Sequence, residues 1–194
     1  TDLTGEYNEA DGTVTMWWGL PSEAEFIETV DEGAEAYDAF SIAEVGAWTM
    51  YDGDGAVPFK FQDTAGNLLS WDNNDQPQAW MVFRPSDVTS DNTWQPHSGT
   101  QVFTSWAAAG TPNNDWLISP ELSGEAQLIS FYIRRLNERD SEERFNVYYS
   151  STDTDPASFH SLNGDTPVSA GTEWELCFYA LPEGAKYFAI QYVG

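Results

Sequence analysis

SGTQVFTSWAAAGTPNNDWLISP, residues Ser98 to Pro120, is the stretch from which the fold of this chain can be read. Gln101, Phe103 and Ser105 alternate with Val102, Thr104 and Trp106, the two-residue period of a strand. Gly110, Pro112, Asn113 and Asn114 then break the chain, and Trp116, Leu117 and Ile118 begin a second apolar run that Pro120 stops. The stretch therefore reads as strand, turn, strand.

The same period continues toward the C-terminus. Ile129, Phe131 and Ile133 share one face of Gln127–Arg135, and Phe145, Val147 and Tyr149 alternate with Arg144, Asn146 and Tyr148. Between these runs, the polar span Asn137 to Glu143 reads as a solvated hairpin loop. Trp174 to Ala180 and Lys186 to Val193 are two further strands.

Toward the N-terminus, Thr13 to Trp18 follows the turn signal Asp11-Gly12, with Val14, Met16 and Trp18 on one face. Residues 1–22 are expected to be an opening strand or interdomain lead-in, and residues 23–194 the main domain. Glu25 to Val30 reads as a strand, Asp31 to Phe40 as a short helix or irregular turn, and Val45 to Tyr51 as a strand carrying Trp48. Residues 56 to 95 are loop-rich, with strand-like pieces at Val57–Phe61 and Ala79–Arg84. About ten strands, frequent turn signals and no amphipathic helix predict an all-β sandwich or jelly roll.

Composition narrows the function. Seven basic residues against 32 acidic ones leave a net charge of −25, which argues against nucleic acid and anionic membranes as partners. It suits a protein kept soluble by self-repulsion or one that takes up divalent cations. Nine tryptophans supply too much apolar area for disorder. The lone Cys177 excludes an internal disulfide and a thiolate metal cluster, and its strand-like setting predicts a passive, half-buried thiol. No apolar run reaches the length of a membrane-spanning helix, and no basic region followed by an apolar stretch opens the chain. Either the protein is cytosolic or a signal peptide has been removed, and composition favours the second.

The opening stretch resembles the cleaved adhesin family, also called choice-of-anchor J domains, known from gingipain-associated adhesins of Bacteroidetes. Further likeness lies in Trp48-Thr-Met-Tyr-Asp-Gly-Asp-Gly55, Ile129-Ser-Phe-Tyr-Ile133, Arg144 to Asp153 with Ser158-Phe159, Trp174, and Tyr187 to Tyr192. These segments cover residues 30 to 194 in the family's order. The resemblance implies a jelly-roll β-sandwich related to galactose-binding carbohydrate modules and MAM domains, an extracellular or cell-surface location, and no catalysis. Family members continue past Tyr187–Gly194 into one more strand, so the domain is expected to lack its final strand.

Clustered carboxylates beside glycine-rich turns supply the hard oxygen ligands that calcium needs. Asp52-Gly-Asp-Gly55 offers two such carboxylates, although an EF-hand would need a third acid at Ala56. The resemblance implies structural calcium, with Glu35, Asp52 and Asp54 as first candidates and Asp31 and Asp115 behind them. The alternative for each is a solvated acidic turn.

For a sugar ligand the expected contacts are Trp71 and Trp94, which lie in polar loop sequence, although burial beneath the loop is the commoner fate of large aromatics. With only His97 and His160, a hydrolase triad is not indicated. A cleft holding two close carboxylates, one of strongly raised pKa, would favour a glycosidase instead. The reading is a monomeric, non-catalytic adhesion or recognition module stabilised by calcium, meeting a host or bacterial surface protein or a glycan. The alternatives are a carbohydrate-binding module, a spacer domain and, last, a glycosidase.

Overall fold

The computed structural model describes residues 3–8, 13–18, 32–43, 45–108, 110–137 and 142–194. They fall into two units, 1–32 and 33–194. In the first, strands β1 (Leu3–Asn8) and β2 (Thr13–Trp18) pair antiparallel from Leu3 opposite Trp18 to Asn8 opposite Thr13. The expected strand at Glu25–Val30 and the candidate ligand Asp31 lie outside the described residues.

The second unit is all-β; its only helical pieces among the described residues are 3₁₀ turns of three residues. Its strands are β3 (Thr49–Asp52), β4 (Met81–Phe83), β5 (Val102–Thr104), β6 (Asp115–Ile118), β7 (Gln127–Ile133), β8 (Arg144–Ser150), β9 (His160–Ser161), β10 (Val168–Ser169), β11 (Glu175–Leu181) and β12 (Tyr187–Tyr192). One sheet runs β10-β8-β12-β6-β3 with β9 also on β8, and β11-β7 and β4-β5 form separate ribbons. All pairings are antiparallel.

The sandwich follows from alternation. Leu117, Val147 and Ile190 point from the large sheet into a core that receives Ile129, Phe131, Ile133, Cys177 and Tyr179 from the inner face of β7–β11. The next residues along, Trp116, Ile118 and Ala189, bury on the opposite face beneath Tyr148, Phe159 and Tyr187. A strand buried on both faces needs apolar residues at successive positions, which is why Trp116, Leu117 and Ile118 follow one another in β6.

One expectation is corrected here. β7 and β8 do not form the expected hairpin, because among the described residues β7 pairs only with β11 whereas β8 pairs with β12, β10 and β9. Trp71 and Trp94 take the commoner of the two fates, burial beneath the loop. Trp71 is 8% exposed, packed 5.2 Å from Phe83 and 5.4 Å from Trp106, and Trp94 is half-buried against Phe61, Phe83 and Trp106. This aromatic cluster gives the strand-poor segment of residues 56–97 its own core.

Candidate metal centre

Strand pairing brings Asp115 to the acidic turn. β3 and β6 run antiparallel with Met50 opposite Leu117, and the same register sets Asp52 directly opposite Asp115. The chain then turns at Gly53, whose N–H donates to the Asn114 carbonyl at 2.9 Å. A Cβ on Gly53 would lie 2.2 Å from Asn114 Nδ2, so only glycine allows this approach. The turn returns Asp54 to the same place, and carboxylate oxygens of Asp52, Asp54 and Asp115 all lie within 4.8 Å of one another.

Local hydrogen bonds fix two of the three. Asp52 Oδ1 accepts from the N–H groups of Asp54 and Gly55, and Asp54 accepts from Ala56 N–H at Oδ1 and from Asn114 N–H at Oδ2. Asn114 is held in turn, its Oδ1 accepting from Trp116 Nε1 and Gln191 Nε2.

Asp115 is the exception. It is 2% exposed, and its Oδ1 has no hydrogen-bond partner among the described residues. Its Oδ2 lies 3.2 Å from Ser105 Oγ, but that hydroxyl also lies 2.7 Å from the Ala79 carbonyl. A serine has one proton, so the shorter contact takes it. Burial, then the nearby Asp54 and Asp52 charges, push Asp115 up to about 8, against the single lowering influence of Ser105. Like charges directly opposite in an antiparallel pair are destabilising, and a buried carboxylate is costly unless paired. The site is therefore complete only with a proton or a cation, and an oxygen-rich set of three carboxylates fits a hard divalent ion.

Glu35 does not belong to this group. Its Oε1 accepts from the N–H groups of Thr100 and Gln101 at 2.6 and 2.8 Å, and its Oε2 from Thr100 Oγ1 at 2.7 Å. These bonds, the Thr100 hydroxyl first, hold its pKa below the ordinary carboxylate range. Gly99, at φ +66°, lets the loop pass, since a Cβ there would lie 2.2 Å from Glu35 Oε1. The two histidines serve packing: His97 stacks on Tyr132 with ring centroids 3.5 Å apart, and His160 lies beside Tyr149.

A cleft of about 440 Å³ between Phe59, the loop from Ala107 to Asn113, Glu143 and Tyr192 does not include the three aspartates. Asp115 is also closed to a sugar ring by its burial. Among the residues that line this cleft the only carboxylate side chain is Glu143, so it does not hold the two close carboxylates that would favour a glycosidase.

No protein-family model matches the chain, and no curated protein matches it. Among solved structures, the K2 cleaved adhesin domain of Lys-gingipain superposes with a TM-score of 0.59 at 17% identity, covering 84% of this chain and 88% of that one. The K3 domain from Porphyromonas gingivalis W83 gives 0.45 at 20% identity, with coverage of 79% and 82%. The K1 domain from the same source gives 0.43 at 18%, with coverage of 76% and 80%. The superposition on K2 shows that the chain has the β-sandwich fold of a cleaved adhesin domain.

Proposed function

We propose that this chain is a non-catalytic, extracellular adhesion or recognition module whose sandwich is stabilised by calcium held between Asp52, Asp54 and Asp115. The observation that carries the calcium is the orphaned, buried Oδ1 of Asp115 facing two further carboxylates. The fold shared with K2, a cleaved adhesin domain, supports the adhesion-type role and, through it, an extracellular one. Among the described residues no helix is long and apolar enough to cross a membrane. Packing of Trp71 and Trp94 in the second core favours this reading over a carbohydrate-binding module.

Calorimetric titration of calcium into EDTA-stripped protein tests the reading. One saturable site is expected, lost in the Asp52→Asn/Asp54→Asn double variant. No heat in the folded wild-type protein, with no metal by elemental analysis, sinks the calcium assignment.

A further inference from the structure

Four of the seven exposed large hydrophobic side chains among the described residues sit on one face of the β7–β11 ribbon: Leu128, Tyr132, Leu176 and Phe178. Tyr132 lies opposite Leu176 and Ser130 opposite Phe178, so they form a continuous strip, each side chain 42 to 65% exposed. The core does not use this strip, because the ribbon's other face already supplies the core. Contiguous apolar surface of this kind marks an interaction site.

Among the described residues each strand of the ribbon pairs only with the other, and the two outer edges differ in charge, Arg134 and Arg135 following β7 while Glu173 and Glu175 open β11. Arg134 donates to the carbonyls of Thr93 and Gln95, and His97 stacks on Tyr132 and lies 5.8 Å from Trp174, so the loop of residues 93–97 packs on the exposed face at the Tyr132 end and leaves Phe178 and Leu128 open. β11 pairs with β7 alone, and no backbone bond among the described residues reaches its outer edge over the seven residues Glu175–Leu181. That edge carries no proline and no lysine, two of the features that discourage pairing with another chain.

Charge selects the partner. No lysine or arginine occurs between Arg144 and Lys186, while Glu173, Glu175 and Glu183 bracket the strand and are exposed. A second copy is a poor occupant. Both chains carry −25, and a two-fold pairing of β11 with itself about Phe178 would set Glu173 against Glu183.

We propose that the outer edge of β11, with Leu176 and Phe178 on its exposed face, docks an extended polypeptide segment of alternating apolar residues bracketed by lysine or arginine, added as a further strand. Backbone bonds hold the segment, the strip takes every second side chain, and the glutamates read its charged ends. The surface supplies a contact for the adhesion-type reading and does not depend on calcium.

The test titrates the full chain with a ten-residue peptide of alternating valine and threonine carrying two lysines at each end. Saturable binding is expected, weakened at least tenfold by the Leu176→Thr/Phe178→Thr double variant and by a glutamate-ended peptide. Leu68→Thr, which alters an exposed leucine elsewhere, should leave it unchanged. An unchanged melting temperature shows that the double variant is folded. Equal affinity for the glutamate-ended peptide, equal binding by the double variant, or no binding overturns the proposal. So does concentration-dependent self-association that the double variant abolishes, which would assign the edge to a second copy. Failure here alongside intact calcium binding leaves the proposed function standing.

Discussion

Glu35 and Asp115 are both carboxylates placed against backbone from a distant part of the chain, and they are resolved in opposite ways. Glu35 sits at the surface with three donors on its two oxygens, and its pKa falls. Asp115 is buried with one orphaned oxygen, a contested hydroxyl and two like charges nearby, and its pKa rises to about 8. A count of acidic residues cannot separate them. Donor supply can: the protein completes the first site by itself and leaves the second to a proton or a cation.

The comparison is tested most severely by Asp115→Asn. It should abolish the calcium response, and in EDTA at pH 9 it should leave the protein more stable than wild type, by on the order of a few kcal/mol. Urea unfolding of both proteins with and without calcium measures this. A variant less stable than wild type in EDTA would mean that Asp115 is satisfied as an anion after all.

Asp52→Asn and Asp54→Asn, taken singly, should each weaken calcium by at least about tenfold, because the charge count of the ligand set governs affinity. Calorimetry reads the change, and an unaltered affinity removes that residue from the site.

The pH profile follows by sign. The folded-state pKa of Asp115 is raised above its unfolded value, so the folded protein binds the proton more tightly. The stability this provides is complete below about pH 4 and is lost as pH rises through about 8. In EDTA the melting temperature should therefore fall between pH 6 and 9, and saturating calcium should flatten the decline. A flat profile in EDTA contradicts the raised pKa.

Glu35→Gln is the smallest effect. It should lower the melting temperature modestly and by the same amount with and without calcium. A calcium-dependent difference would return Glu35 to the ligand set.

The sandwich was legible because its strands announce themselves locally. Ile129, Phe131 and Ile133 alternate plainly, and so do Phe145 and Val147. Pairing was not legible in the same way. β7 and β8 are neighbours in sequence with a polar span between them, yet they lie in different layers. A signal was present in Leu128 and Tyr132, which make β7 apolar on both faces and unlike a solvent-backed hairpin strand. Polar loop sequence left both fates open for Trp71 and Trp94, because their burial comes from packing against Phe61, Phe83 and Trp106, which local polarity does not report. Asp52 and Asp54 stood out as a turn motif, whereas the importance of Asp115 depends on a register that places it opposite Asp52 across sixty-odd residues of chain.

The most direct measurement is thermal unfolding of the purified chain in EDTA, followed by restoration with calcium or with magnesium. A ligand that binds only the folded state at a hundred times its Kd stabilises by about 2.7 kcal/mol. The account predicts a clear drop in melting temperature in EDTA that calcium reverses and magnesium does not. A melting temperature indifferent to EDTA and to added calcium would contradict it and leave Asp115 as a protonated core residue.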